Sequence, residues 1–185
     1  MKNPLLPAGL EDHNLEIYVH DDELKVTYNR RAIEFIELPE SIREIFEVSL
    51  IKDPIAIKSL RADMHILDST GMLIQYVKCV FGGFDNNPDL HEGKTIPECW
   101  DCGRHGTCPA EGKVCKLPAG PMGVLSPKEY RTTVLVAKGK LDKEIAEEMG
   151  IKETSVREYM KRVREKIEAN NRIEIMLWAQ RSGLI

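Results

Sequence analysis

One run near the C-terminus constrains the fold more than any other part of this chain. It reads Lys143-Glu144-Ile145-Ala146-Glu147-Glu148-Met149-Gly150-Ile151, followed by Thr154-Ser155-Val156-Arg157. Its first half has the pattern of a helix, and Gly150, free to take positive φ, ends that helix and redirects the chain. A second helix is expected within about four residues, the short connection of a helix-turn-helix unit. It is predicted over 156–167, where Val156, Met160, Val163 and Ile167 repeat at the helical period and should face a core. Arg157, Lys161 and Arg164 are expected to share the opposite side. An amphipathic helix with a cationic outer stripe, held by a supporting helix, is shaped to enter a major groove.

The flanks carry matching signals. Ser126-Pro127-Lys128-Glu129 places a capping serine before proline at the first helical position, with glutamate three residues after the cap. Asn171-Arg172-Ile173-Glu174 repeats the device and Gly183 is placed to close a last helix. Four helices therefore fit between Ser126 and Gly183, with Asp142 as the expected cap of the second.

Leu125-Ser126-Pro127-Lys128-Glu129, Val136-Ala137-Lys138-Gly139, Lys143-Glu144-Ile145-Ala146, Lys166-Ile167, Asn171-Arg172 and the ending Leu177-Trp178-Ala179-Gln180-Arg181-Ser182-Gly183-Leu184-Ile185 occur in this order. Together they resemble the LuxR-type (GerE-like) helix-turn-helix domain of bacterial transcription regulators, over about a third of the chain. The resemblance implies a four-helix fold with double-stranded DNA as partner. It implies that Arg157, Glu158 and Lys161 face bases or nearby backbone, that Lys143 touches phosphate, and that the last helix offers a dimer surface. Thr154, Ser155, Arg162 and Arg164 complete the expected DNA-binding set. The sequence departs from the family pattern at Arg131, Thr132 and Thr133, which replace an acidic residue and two aliphatics, so a weakened core stripe is expected in the first helix. Glu158 puts an anion on the reading face, where a carboxylate can accept from cytosine N4, and Tyr159 replaces a common histidine.

Charge is divided unevenly. From Met122 onward 13 Lys and Arg stand against 10 Asp and Glu, a net of +3; the remaining 13 against 20 give −7, together the chain's −4. An acidic partner-facing part joined to a modestly basic reader is the expected arrangement. At 185 residues two modest domains are more natural than one. No stretch approaches the roughly 20 apolar residues of a membrane span, and no signal-peptide pattern opens the chain. A cytoplasmic location follows as an expectation.

The remainder is expected to divide into an α+β domain over 1–90, a Cys-rich loop and linker over 91–121, and the helical domain over 122–185. Leu15-Glu16-Ile17-Tyr18-Val19 and Leu24-Lys25-Val26-Thr27-Tyr28 alternate around Asp21-Asp22, a hairpin signal, and Ala32–Ile36 adds a third strand. Short helices are predicted at 39–46 and 53–60, and a second hairpin over Met64–Phe81, turning at Ser69-Thr70-Gly71, with Cys79 as a buried strand residue. Cys99, Cys102, Cys108 and Cys115 lie within 17 positions, in surroundings rich in Gly, Pro and charge. So little apolar material is not expected to order a loop by packing. A structural zinc held by these four thiolates is the leading reading, with Cys-x2-Cys as one half-site. An iron–sulfur cluster and disulfides or free thiols remain as alternatives. His91 and His105 are read as surface loop residues or substitute ligands, Trp100 as a cover over the sulfurs, and 118–123 as a stiff linker.

These features point to a DNA-binding transcription regulator, a homodimer, with RNA polymerase or another protein as a further partner of the acidic N-terminal domain. No nucleophile–base or paired-carboxylate constellation suggests an enzyme. Two alternatives stay open: a phage or mobile-element DNA-packaging or structural protein that binds DNA non-specifically, and an iron–sulfur redox-sensing regulator.

Overall fold

The computed structural model describes residues 8–10 and 14–184; Ile185, part of the family-like ending, lies outside them. The chain divides into two compact units, Met1–Cys102 with Lys113–Lys116, and Gly103–Gly112 with Leu117–Ile185.

The first unit is α+β. Strands β1 (Leu15–His20), β2 (Glu23–Tyr28) and β3 (Arg31–Glu34) form an antiparallel sheet in sequence order, with Ile17 opposite Val26 and Val26 opposite Ile33. Each connection is two residues at positive φ, Asp21-Asp22 and Asn29-Arg30, the paired left-handed conformation that matches strand twist in tight hairpins. Helices α1 (Glu40–Ile51), α2 (Pro54–Ala62) and α3 (Ser69–Phe81) follow. Phe46 is the centre of the core, edge-on to Phe35 at 5.8 Å and to Phe81 at 5.2 Å, the geometry that aromatic quadrupoles favour.

The predicted second hairpin is absent: α3 occupies 69–81. Ser69-Thr70-Gly71 is its first turn, because Asp68 caps it by accepting from the Gly71 N–H at 2.6 Å. Met72, Leu73, Tyr76, Val77, Val80 and Phe81 are buried at helical spacing, and 13 residues is long for a strand. Cys79 is consequently a half-buried helix residue that accepts from Gln75 Nε2 at 3.2 Å.

After α3 the chain returns along β1, with Val19 N–H donating to Gly82 O and Asp89 N–H to Leu15 O. Gly82 is required there, since a Cβ would strike the Trp100 indole and the Lys78 carbonyl. Trp100 packs at the end of α3, its Nε1–H donating to Lys78 O at 3.1 Å. A two-residue ladder joins β4 (Leu90–His91) to β5 (Lys94–Thr95).

In the second unit, β6 (Ala119–Gly120) and β7 (Gly123–Val124) form a hairpin where a stiff linker was expected. Four helices follow, as the caps predict: α4 (Pro127–Ala137), α5 (Asp142–Met149), α6 (Glu153–Ile167) and α7 (Arg172–Arg181). The hairpin sits on α6: Met122 N–H donates to Lys166 O at 3.0 Å, and a Cβ on Gly120 would collide with that carbonyl. Among the described residues no helix is long and apolar enough to cross a membrane.

Candidate nucleic-acid interface

The helix-turn-helix is built as its sequence signals suggest. Ser126 and Glu129 form a reciprocal capping box, with Ser126 N–H donating to Glu129 Oε2 at 2.7 Å. Asn171 Oδ1 accepts from Glu174 N–H at 3.0 Å, and Gly183 at φ 67° follows the end of α7. Gly150 closes α5 in the left-handed conformation, φ 63°, with Ile151 N–H donating to Ala146 O at 2.9 Å. That six-to-one bond satisfies a terminal carbonyl and turns the chain at a position where Gly carries no Cβ penalty. Only 150–152 separate α5 from α6. α6 begins at Glu153, earlier than the predicted start at Val156, so Thr154 and Ser155 belong to its first turn. Asp142 is the first residue of α5 rather than its cap, which is Leu141; the Leu141 N–H donates to Glu144 Oε2 at 2.6 Å.

Freed from capping, Asp142 ties three elements together. It accepts from Arg172 Nη1 of α7 at 2.7 Å and lies 3.7 Å from Arg157 Nε of α6. Arg172 also donates to Lys140 O, just before α5. The first turns of α5 and α7 are thereby fixed to each other, with the N-terminal part of α6 alongside.

Packing orients α6. Val156, Val163 and Ile167 are buried, with Met160 half-buried beside them. At about 100° per residue, the line directly opposite this face carries Thr154, Glu158 and Glu165, all exposed. Arg157 and Lys161 are exposed on one flank and Arg162 on the other, with Ser155 half-buried. Arg164 lies nearer the core and is half-buried, so it does not share the outermost stripe expected from the sequence. Lys143 is exposed in the first turn of α5. The surface formed by α6 is therefore a mixed one. Cations rim a centre of hydroxyl and carboxylate, and Glu153, 3.5 Å from Arg157 Nη2, tempers the rim further.

The departures in α4 do not open its core. Thr132 and Thr133 are fully buried, and each hydroxyl donates to a carbonyl four residues back, Lys128 O and Glu129 O, both at 2.8 Å. Back-bonding satisfies the hydroxyl within the helix, so threonine serves here as a buried residue. Arg131 Nη1 reaches His105 O at 2.7 Å.

At the far end of α6, Lys166 Nζ donates to Glu129 Oε2 at 2.6 Å and to Val124 O at 2.9 Å. Burial acts to raise the Glu129 carboxyl, but the Lys166 bond and the Ser126 capping bonds outweigh it and hold the group below its ordinary value. This strut joins β7, α4 and α6.

The cysteine segment has anchors that its sparse apolar content did not predict. In the second unit, His105 is not a surface residue. Its ring packs on Tyr130 at 4.5 Å, and Nδ1 lies 3.0 Å from Glu111 Oε1. In the first unit, Lys113 pairs with Asp63 at 2.7 Å and Lys116 with Asp53 at 2.6 Å, at the two ends of α2. Ala110 and Val114 are buried. Cys99, Cys102, Cys108 and Cys115 are half-buried, and Gly103, directly after the Cys-x2-Cys pair, takes φ 71°. Among the described residues no group of three or more His, Cys, Asp or Glu side chains stands in metal-holding geometry. His91 is exposed on β4.

Residues 123–179 match the family model described as bacterial regulatory proteins, luxR family. The chain is similar to the transcriptional regulatory protein DesR of Bacillus subtilis (strain 168), 42% identical over 59 residues, which are 32% of this chain and 30% of that protein. The match thus spans less than a third of the relative's length. No solved structure matches the chain. The four helices, the Gly150 turn and the matched residues coincide: the C-terminal third of this chain is a helix-turn-helix domain of the luxR family.

Proposed function

We propose that this protein is a DNA-binding transcription regulator that reads duplex DNA with α6. The observation that carries the reading is the luxR-family domain itself, with α6 turned outward beside the start of α5. Lys143, Arg157, Lys161 and Arg162 supply phosphate contacts at the rim, while Thr154, Ser155 and Glu158 face base edges. Arg164 contributes from the flank. A domain of net charge +3 with carboxylates at the centre of its reading face gains little from phosphate attraction alone. This favours sequence-specific reading over a non-specific packaging role. Dimerisation would add the affinity that one domain lacks, and α7 offers a surface for it: Ile173 and Leu177, one turn apart, are 67% and 50% exposed.

The acidic N-terminal unit is the candidate contact for RNA polymerase or another protein, and the site of action is the cytoplasm. Zinc held by Cys99, Cys102, Cys108 and Cys115 remains part of this reading. It is supported by donor chemistry, by the Cys-x2-Cys spacing and by the left-handed Gly103 that follows the pair.

The test is selection of duplexes from random DNA by the full-length chain, followed by salt titration of the winners. A paired half-site bound far above random duplex is expected, and charge reversal at Arg157 and Lys161 should abolish that binding with helix content unchanged. Undiminished binding by the reversed variant would show that α6 is not the reader. No enriched motif, with binding that simply collapses as salt rises, would replace regulation by an architectural role.

A further inference from the structure

We propose that the buried carboxyls of Glu16 and Asp89 form a proton-operated latch in the N-terminal unit. The latch fastens the 82–98 segment to β1 and loosens as pH rises.

The two side chains lie where the returning segment crosses the sheet, and they are 1% and 3% exposed. Glu16 Oε1 accepts from the Asp85 N–H at 2.7 Å, and Asp89 Oδ2 accepts from the Ile17 N–H at 2.6 Å. The bonds are reciprocal. A β1 carboxyl holds the segment's backbone, and a carboxyl from the segment holds the backbone of β1. Val19 N–H to Gly82 O, Asp89 N–H to Leu15 O and the Tyr18–Phe84 ring contact at 4.7 Å complete the seam.

The seam suits two anions poorly. Glu16 Oε2 is buried with no hydrogen-bond partner, so a charge there would be stripped of water. The titratable groups facing the pair are Asp85 and Glu98, again carboxyls, and burial raises Glu98 itself to about 7. Burial is the chief cause that raises both groups, the backbone bonds from Asp85 and Ile17 pull them back in part, and the neighbouring carboxylates add to the rise. Glu16 is pushed up to about 8 and Asp89 to about 9.

The direction of the switch follows from proton counting. With the seam open, the two groups return to ordinary values of about 4.3 and 3.9. From there up to about pH 8, each carboxyl is protonated when closed and ionised when open. The open population therefore rises by about tenfold per pH unit for each group, and by about a hundredfold for both. Above the closed-state values the dependence levels off. The 82–98 segment leads directly into Cys99.

The experiment is hydrogen exchange of the full chain from pH 5 to 9, corrected for intrinsic exchange, in peptides covering β1 and 82–98. Opening should steepen with pH in the wild type. Glu16→Gln and Asp89→Asn keep a carbonyl acceptor for each backbone N–H but cannot ionise. Each should lower the logarithmic slope, and the double variant should flatten it above about pH 7, where Glu98, itself raised to about 7 by burial, is already ionised, while α6 peptides show no such trend. A flat wild-type profile, or an unchanged slope in the double variant, would overturn the latch. Should the double variant fail to fold, carboxyl carbon NMR of the wild type decides: titration of both groups above pH 7 supports the latch, and titration near 4 refutes it.

Discussion

The strut between Glu129 and Lys166 makes the sharpest claim about what holds the reader domain together. The Glu129 side chain is 4% exposed and that of Lys166 29%, with Nζ and Oε2 2.6 Å apart. Removing one partner of a buried pair costs ~3–5 kcal/mol, because the other is left buried and charged, but the two partners are not equally stranded. In Glu129→Gln, Lys166 keeps the Val124 carbonyl and part of its hydration, so the cost falls to about 1.5 kcal/mol. In Lys166→Met, a nearly buried carboxylate is left with only its Ser126 bonds, and the cost is about 3 kcal/mol. The double variant should recover part of the loss, with a coupling energy of ~1–3 kcal/mol. Hydrogen exchange of α4 and α6 amides in the full chain reads this unit by itself. The sign with pH is fixed as well. Glu129 is held below its ordinary value, so its contribution is complete above about pH 4.3 and is lost as pH falls toward the folded-state value. The penalty of Lys166→Met should therefore shrink in acid. Equal costs for the two single variants, or simple additivity in the double, would refute the argument that this pair is a buried, coupled strut.

Three other outcomes follow from particular residues. Glu168 ends α6 at φ 56°, a conformation that costs a residue with a Cβ ~1 kcal/mol or more, so Glu168→Gly should raise the stability of α6 by roughly 0.5–1 kcal/mol; a loss would mean that its side chain has a role the backbone does not reveal. A fragment of residues 103–185, which keeps the His105–Tyr130 contact and the β6–β7 hairpin on α6, should melt higher than one of residues 125–185, and equal melting would show that those additions contribute nothing. Cys102→Ser should release bound zinc from protein purified with it, measured by metal analysis; full metal content in the variant would remove Cys102 from the ligand set.

The reader domain was legible in the sequence because its determinants are local. A capping serine, a proline at the first helical position, a left-handed glycine and a repeat at the helical period each act within a turn or two of chain. The four helices accordingly fall where those signals place them. The outline of the cationic rim was legible for the same reason, as helical phase alone separates Arg157 and Lys161 from Val156 and Val163. Tertiary contacts decided what local signals left open. The run from Met72 to Phe81 has the composition of a strand, and the Asp68 cap together with burial around Phe46 made it a helix. Asp142 looked like a cap and became a bridge because Arg172, thirty positions away, reaches it. Glu16 lies on an alternating strand; the 82–98 segment, about seventy positions further on, covers it and makes a buried acid of it. Propensity and capping are properties of neighbours in sequence, whereas burial and charge pairing belong to neighbours in space. The sequence by itself therefore determined the helices of the reader, and only the folded chain decided which of its carboxylates would be hidden from water.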